Sequence, residues 1–435
     1  MGKPAVIHIR MLYKSEFNFS GERFMTRQFF AYLFESVFVA VFDQVDIAFG
    51  NGINIDSIVA LSTFTVITWV IHHLAQIGTY TYRMWQKRLW TCQLVSSVAS
   101  VITSVIVFFC SDYIVRIWHL TEPQYALCAA CLRVYAIGLP FIQIGDFLDV
   151  YLLFQSKVKT LMIGDFLFYI CLVLTDLWCV RTGKSLPWLI VCTVFSYILY
   201  DIYLFFFSGV RYEKEAPAVE YIKPCIRHGS NILFDKLTGK VATIYYGIMA
   251  SNMGTMSYAV HSVCYSVCVF GESFTNSFNT FQIVQQKLVR KEHRYFLKSA
   301  LLKRYGWRLT LMYVAVIPVI TWVIKGDVAF GSVIGWVWVY CSDHFSLLFY
   351  ESNKAYLEMQ EASKYLKYGG LIGGAIRILF VFIGTFLHLG LFPFAIACTV
   401  DFGVRALYYG LCARRVSKKQ YHANQGGCNF TTAEV

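Results

Sequence analysis

The sequence predicts an all-α polytopic membrane protein: twelve transmembrane helices in two parallel six-helix repeats. Three observations predict it. The 435 residues are 57% hydrophobic and only 15% charged, whereas soluble domains are about 45–50% apolar and about 25% charged. The apolar excess runs the whole length of the chain in stretches long enough for the ~20 residues that a bilayer requires. Finally, a shift of 200 residues brings the two halves into partial register.

Residues 1–23 are polar and read as a cytoplasmic lead-in without the apolar core of a signal peptide. Spans are then predicted at 24–49, 54–81, 89–115, 124–154, 158–180 and 187–209. Six more follow at 222–250, 255–284, 300–324, 330–357, 366–388 and 392–413. The chain therefore divides into a first half (24–210), a linker (211–221), a second half (222–413) and a cytoplasmic tail (414–435). The fourth, seventh and tenth spans carry more polar residues than lipid contact allows, as helices lining a cavity would.

Orientation follows from lysine and arginine in the loops. Basic residues gather after even-numbered spans: Arg83, Lys87 and Arg88; Lys157 and Lys159; Lys287 to Arg304; Lys354, Lys364 and Lys367; and Arg414 to Lys419. The opposite loops hold only Arg116, Arg181, Lys184 and Lys325. Both termini are thus expected in the cytoplasm, with the chain in a plasma (inner) membrane. This asymmetry also accounts for the net charge of +12 without nucleic acid as a partner. The fourteen cysteines are scattered through apolar runs, where they serve as small, soft packing residues. Cys128 and Cys131 form a lone CxxC with no second pair, so no metal site is expected.

Under the 200-residue shift Arg27 falls on Arg227, Leu33-Phe34-Glu35 on Leu233-Phe234-Asp235, Gln86-Lys87 on Gln286-Lys287, and Asp201 on Asp401. An even number of helices per half makes the repeats parallel, an architecture of transporters.

An ionisable residue inside a span marks a functional site by default, and at the bilayer centre it costs about 3 kcal/mol on insertion scales. Span one carries Glu35, Asp43 and Asp46, with Glu35 and Asp46 about 20° apart on the helix wheel. Spans five and six carry Asp165, Asp176, Thr193 and Asp201. Span seven carries Asp235, Lys236 and Lys240, and span eight Glu272. Span ten carries Asp343 and Glu351, and span twelve Asp401 and Arg405. Internal pairing is the alternative to function: Asp401 with Arg405, or Asp235 with Lys236 or Lys240. His72-His73 reads as packing or cavity lining, Asp146 and Asp149 as cavity or helix-end residues, and Gly369-Gly370 with Gly373-Gly374 as helix contacts. A desolvated carboxylate exchanges protons near neutral pH, or binds Na+ with neighbouring oxygens. No catalytic His–Asp constellation is visible in the loops, and no enzyme is expected.

Four stretches carry a family resemblance. They are Val45-Asp46 with Gly50 to Ser62; Tyr135-Ala-Ile-Gly-Leu-Pro140-Phe; Phe234-Asp235 through Gly254; and Cys341-Ser-Asp343 with Lys354 and Tyr356. In order and spacing the chain resembles the multidrug and toxic compound extrusion (MATE) family of the flippase (MOP) superfamily, over nearly all of 24–413. The resemblance implies an N-lobe cation site at Asp46, Asp176 and Thr193, and a C-lobe site at Asp235 and Asp343. Glu35, Asp43, Lys236, Glu272 and Glu351 are further candidates for cavity or relay roles. The family's fifth-helix Asn is replaced by Leu172, and Lys236 beside Asp235 is unusual, which marks a divergent member.

The expected function is H+- or Na+-coupled antiport by alternating access, exporting small cationic or amphipathic organic compounds, as in multidrug efflux. A flippase or exporter of a lipid-linked or peptide product on the same fold is the alternative. No cofactor is expected beyond the coupling ion, and no metal beyond Na+ at the acids. The expected partners are a small-molecule substrate and the lipid bilayer, with the protein a monomer.

Overall fold

A computed structural model describes residues 25–427 except 35, 39, 42–54, 119, 156, 211–218, 252, 254 and 325–328. Glu35, Asp43 and Asp46 therefore lie outside the described residues, as do the lead-in and most of the linker. A first helical stretch, α1 (25–34), is followed by α2 (Ile55–Ala75), α3 (Ile77–Trp85), α4 (Leu89–Arg116), α5 (Glu122–Phe154), α6 (Val158–Arg181) and α7 (Leu186–Phe207). The second half holds α8 (Val219–Ser251), α9 (Thr255–Lys287), α10 (Arg294–Leu301), α11 (Trp307–Ile324), α12 (Phe330–Tyr340), α13 (Asp343–Met359), α14 (Ser363–Phe386) and α15 (Phe392–Gly427). The described residues form no strand.

Six of these helices, α4, α5, α6, α7, α14 and α15, are long and apolar enough to cross a membrane. Their outward faces account for that: Phe109 is 73% exposed, Phe206 73% and Phe386 74%. Hydrocarbon suits such surfaces, and helices leave no backbone group unpaired in it. Among the described residues the remaining predicted spans also fall on helix, broken or polar in the second, seventh, eighth, ninth and tenth, and the first is described only in part. The second predicted span divides at Gln76 into α2 and α3. The tenth divides at Cys341–Ser342 into α12 and α13. α10 and α11 are joined through a π-helical turn, Leu302–Gly306. α5 begins with a capping box in which the Thr121 backbone N–H and Gln124 side chain pair, with Pro123 in the first turn.

Helix starts correct the 200-residue register. Ile55 and Thr255 differ by 200 positions, but Val158 and Ser363 differ by 205, and Leu186 and Phe392 by 206. Asp201 and Asp401 therefore do not occupy equivalent turns, because the intervening connections are longer in the second half.

Lys298 on α10, outside the predicted ninth span, is 6% exposed. It donates to Asn353 Oδ1 at 2.7 Å, with its ammonium 4.5 Å from the Tyr295 ring centroid. Burial, reinforced by Arg414, pushes this ammonium from 10.5 down to about 8. Between those two values the unfolded chain holds a proton that the folded chain has released, so stability rises with pH. Thermal melts at stepped pH are expected to show that rise in the wild type and its reduction in Lys298→Gln. Equal slopes in the two proteins would mean that the ammonium is solvated.

Candidate functional site

The centre of the second half is built by α8, α13, α14 and α15. Asp235 on α8 is 1% exposed, and both of its carboxylate oxygens are engaged. Oδ2 lies 3.0 Å from Lys354 Nζ and accepts from the Tyr350 hydroxyl at 3.0 Å. Oδ1 lies 3.0 Å from Arg405 Nη1 and accepts from the Tyr409 hydroxyl at 2.8 Å. Lys354 also lies 3.9 Å from Glu351 Oε1, and Glu351 Oε2 accepts from Asn279 Nδ2 at 2.7 Å. Arg405 pairs in turn with Asp401 four residues earlier, and Asp401 Oδ2 lies 2.8 Å from Arg377 Nε. Three acids (Asp235, Glu351, Asp401) thus face three bases (Lys354, Arg377, Arg405), and these six charges balance, with Lys236 and Glu358 as further neighbours. Only such balance makes six charges tolerable away from water.

Small residues admit this cluster. A Cβ at Gly373 would stand 2.1 Å from Asp401 Oδ1 and 2.2 Å from Arg405 Nε. One at Gly370 would stand 2.5 Å from the Asp235 Cα, and one at Gly369 would stand 2.0 Å from the Tyr409 ring. The two glycine pairs are helix contacts, as the sequence implies: Gly370 and Gly373 admit ionic residues, Gly369 the Tyr409 ring and Gly374 Thr238.

Of the two internal pairings considered for these acids, Asp401 with Arg405 is present. Asp235 instead pairs across helices, with Lys354 and Arg405, not with its sequence neighbours. Lys236 is half-buried, with Lys354, Glu351, Arg83 and Asp235 as its charged neighbours. Lys240 places its ammonium 4.3 Å from the Trp69 ring centroid, across to α2. Lys354, counted above among the cytoplasmic loop bases, lies within α13 and is 2% exposed. Asp343 opens α13, buried, and stands about 12 Å along that helix from Glu351. Glu272 and Arg377 are its charged neighbours. Glu272 on α9 is half-buried, and Thr275 donates to its backbone carbonyl at 2.9 Å. Arg377 escaped the sequence reading, although a lone arginine inside an apolar span carries the same signal as an intramembrane acid.

In the first half Asp176 on α6 is fully buried, and it neighbours Cys192, beside Thr193 on α7. Thr193 Oγ1 donates within its own helix, to the Leu189 carbonyl at 3.1 Å. Asp146 lies 3.2 Å from His72 Nε2 and accepts from Gln76 Nε2 at 3.0 Å. His73 Nδ1 is 2.9 Å from the Tyr80 hydroxyl. The two histidines therefore tie the α2–α3 break to its surroundings.

The halves meet along a seam between α3 and α8. Thr81 Oγ1 donates to the Cys225 carbonyl at 2.7 Å. A Cβ at Gly229 would stand 2.1 Å from the Ile77 carbonyl oxygen. Arg83 reaches α9 and α13, donating to Asn279 Oδ1 at 2.8 Å and lying 3.9 Å from Glu358 Oε2. Further on, Gln28 and Gln285 join at 2.7 Å. The seam combines these polar contacts with apolar packing, Tyr80 and Met84 against Ile232 and Leu233 and Phe29 against Phe281 and Tyr305, whereas the dense ion cluster lies inside one half.

No family model matches the sequence, and no curated protein matches it. Solved structures do. The chain is similar to a MOP superfamily transporter from Pyrococcus furiosus, described as having a binding pocket of reverse polarity that suggests a different function. That likeness has a TM-score of 0.74 at 16% identity and covers 90% of this chain and 95% of that one. It is similar to MATE in complex with MaD5, with a TM-score of 0.78 at 15% identity over 91% of this chain and 96% of that one. It is also similar to an outward-facing conformation of a multidrug resistance MATE family transporter, with a TM-score of 0.75 at 15% identity and the same coverage. Together with the apolar helices, these likenesses make the chain a helical, multi-pass membrane protein with the fold of the MATE transporters of the MOP superfamily.

Proposed function

We propose that this protein is a secondary transporter that exports small cationic or amphipathic organic compounds by alternating access, in exchange for H+ or Na+. The seam carries this reading. Two helical halves touch through α3 and α8 by apolar packing and a few polar contacts, without the buried ion cluster that holds the second half together internally. The loop charges assign this seam to the cytoplasmic side, so the conformation is closed there. Both termini then lie in the cytoplasm, and the protein works as a monomer in the plasma (inner) membrane. Twelve spans in two six-helix lobes complete the architecture, with Asp46, Asp176 and Thr193 in one lobe and Asp235 and Asp343 in the other as the coupling candidates. A coupling ion shifts the lobes only by its differential affinity for the two states. Asp235, already held by two cations, has less room for a mobile one than an unpaired acid.

The test is reconstitution in liposomes, with imposed H+ or Na+ gradients and ethidium as the fluorescent organic cation. Gradient-driven ethidium movement is expected. If neither gradient moves it, antiport of organic cations is lost as the function.

A further inference from the structure

A second group of acids, outside the coupling candidates, lies where α5, α6 and α7 converge. The Tyr200 hydroxyl on α7 is 2.6 Å from Asp149 Oδ1 on α5 and 2.7 Å from Asp165 Oδ1 on α6. Tyr200 is 5% exposed and Asp165 7%. Phe168, Leu152, Leu161 and Leu204 close around them. Among the described residues, Asp165 Oδ2 has no hydrogen-bond partner.

Counting protons decides what this geometry means. A phenol has one hydrogen to donate, and its oxygen also accepts. Two oxygen–oxygen contacts at hydrogen-bond distance need two hydrogens. With both carboxyls ionised, one contact would set a phenol lone pair against a carboxylate lone pair in apolar surroundings, where repulsion is poorly screened. One additional proton removes the conflict: one carboxylic acid donates to the phenol, and the phenol donates to the other carboxylate.

We infer that Asp149, Tyr200 and Asp165 form a proton-binding site that holds one proton between two carboxyls and ties three helices of the first half together. This rests on the transporter reading for its use, since the site would carry H+ as the coupling ion. Proton uptake forms one O–H bond on a carboxylate, and release breaks it, with no other bond changed. Loss of the proton leaves two like charges on one phenol and favours separation of α5 from α6.

Among the described residues, the titratable groups on the packed elements include Tyr151 on α5 and Tyr197 on α7. Asp146 on α5 is occupied by His72 and Gln76. Asp201 on α7 has no hydrogen-bond partner for either carboxylate oxygen among the described residues, and it stands beside Gly145. Tyr203 on α7 donates to the Thr160 carbonyl at 3.3 Å. Tyr169 on α6 packs against Phe38, with ring centroids 5.8 Å apart. Lys157, at the start of α6, donates to the Ser208 carbonyl at 2.6 Å.

Infrared difference spectra of the full chain in lipid nanodiscs, taken as pH is stepped through neutrality, test the site directly. The expected result is a protonated-carboxyl C=O band that shifts in Tyr200→Phe, where the phenol bond is lost, and disappears in Asp165→Asn or Asp149→Asn. A band that none of the three substitutions moves, or no such band, overturns the proposal. Each variant is paired with a thermal melt, and a variant that fails to fold is replaced by either of the others. Proteoliposome flux separates the two claims. Loss of H+-driven flux in Asp165→Asn, with the band gone, supports coupling through this site. The same spectra in a protein that moves no solute would sink the transporter reading and leave the proton site standing.

Discussion

Asp235→Asn is expected to destabilise the fold by about 3 kcal/mol, the lower end of the ~3–5 kcal/mol that removal of one partner from a buried ion pair costs. The lower end applies because each stranded cation keeps one acid: Lys354 retains Glu351, and Arg405 retains Asp401. The substitution turns a neutral cluster of three acids and three bases into one with a net positive charge. Lys354→Met in the same protein restores neutrality, so the double variant is expected to recover most of the loss. A thermal-melt double-mutant cycle in one detergent reads the coupling. If the two losses simply add, the Asp235–Lys354 contact is not the source of the effect. The cycle also sharpens the functional question. Asp235→Asn alone confounds loss of a coupling acid with loss of the fold. A stable double variant that still exchanges solute for an ion would exclude Asp235 as the coupling acid.

Gly229→Val is expected to open the seam while the halves themselves stay folded. Its Cβ would overlap the Ile77 carbonyl, which is backbone and cannot turn aside. Overpacking of about 1–3 kcal/mol is relieved when α8 moves off α3, a shift of about 5- to 150-fold in the ratio of closed to open states. Native cysteines report it. Cys225 is fully buried at the seam, with its sulfur 4.0 Å from Cys92, whereas Cys128 is buried in a separate core of the first half. Alkylation of Cys225, located by peptide mass, is expected to accelerate while Cys128 stays protected. Parallel acceleration of both would mean unfolding, and no change at Cys225 would mean that the seam is not a moving surface.

How much was legible beforehand varied with the range of the interaction. The placement of helices was legible, because runs of apolar residues and alternating loop charges are properties of consecutive residues. The α2–α3 and α12–α13 breaks were not, since the break residues themselves, Gln76 and Cys341–Ser342, are neither proline nor glycine. Asp235 stood out as an intramembrane acid, but its partners did not: Lys354 lies 119 positions away and Arg405 170. Lys354 read as a loop base only because it lies near the end of a span. The role of Tyr200 was invisible, since one tyrosine among 29 has no local signature for bridging two acids.

The sequence by itself determined that this chain is a helical membrane protein and which of its apolar stretches contain charge. Those properties depend on solvation, and each residue contributes to them alone or with its neighbours along one helix. Only the tertiary structure decided which charges neutralise one another, which phenol joins two carboxyls and where the two halves touch. Those outcomes depend on approaches of a few ångströms between helices distant in the chain, and glycines such as Gly229, Gly370 and Gly373 permit them by leaving room where any side chain would stand.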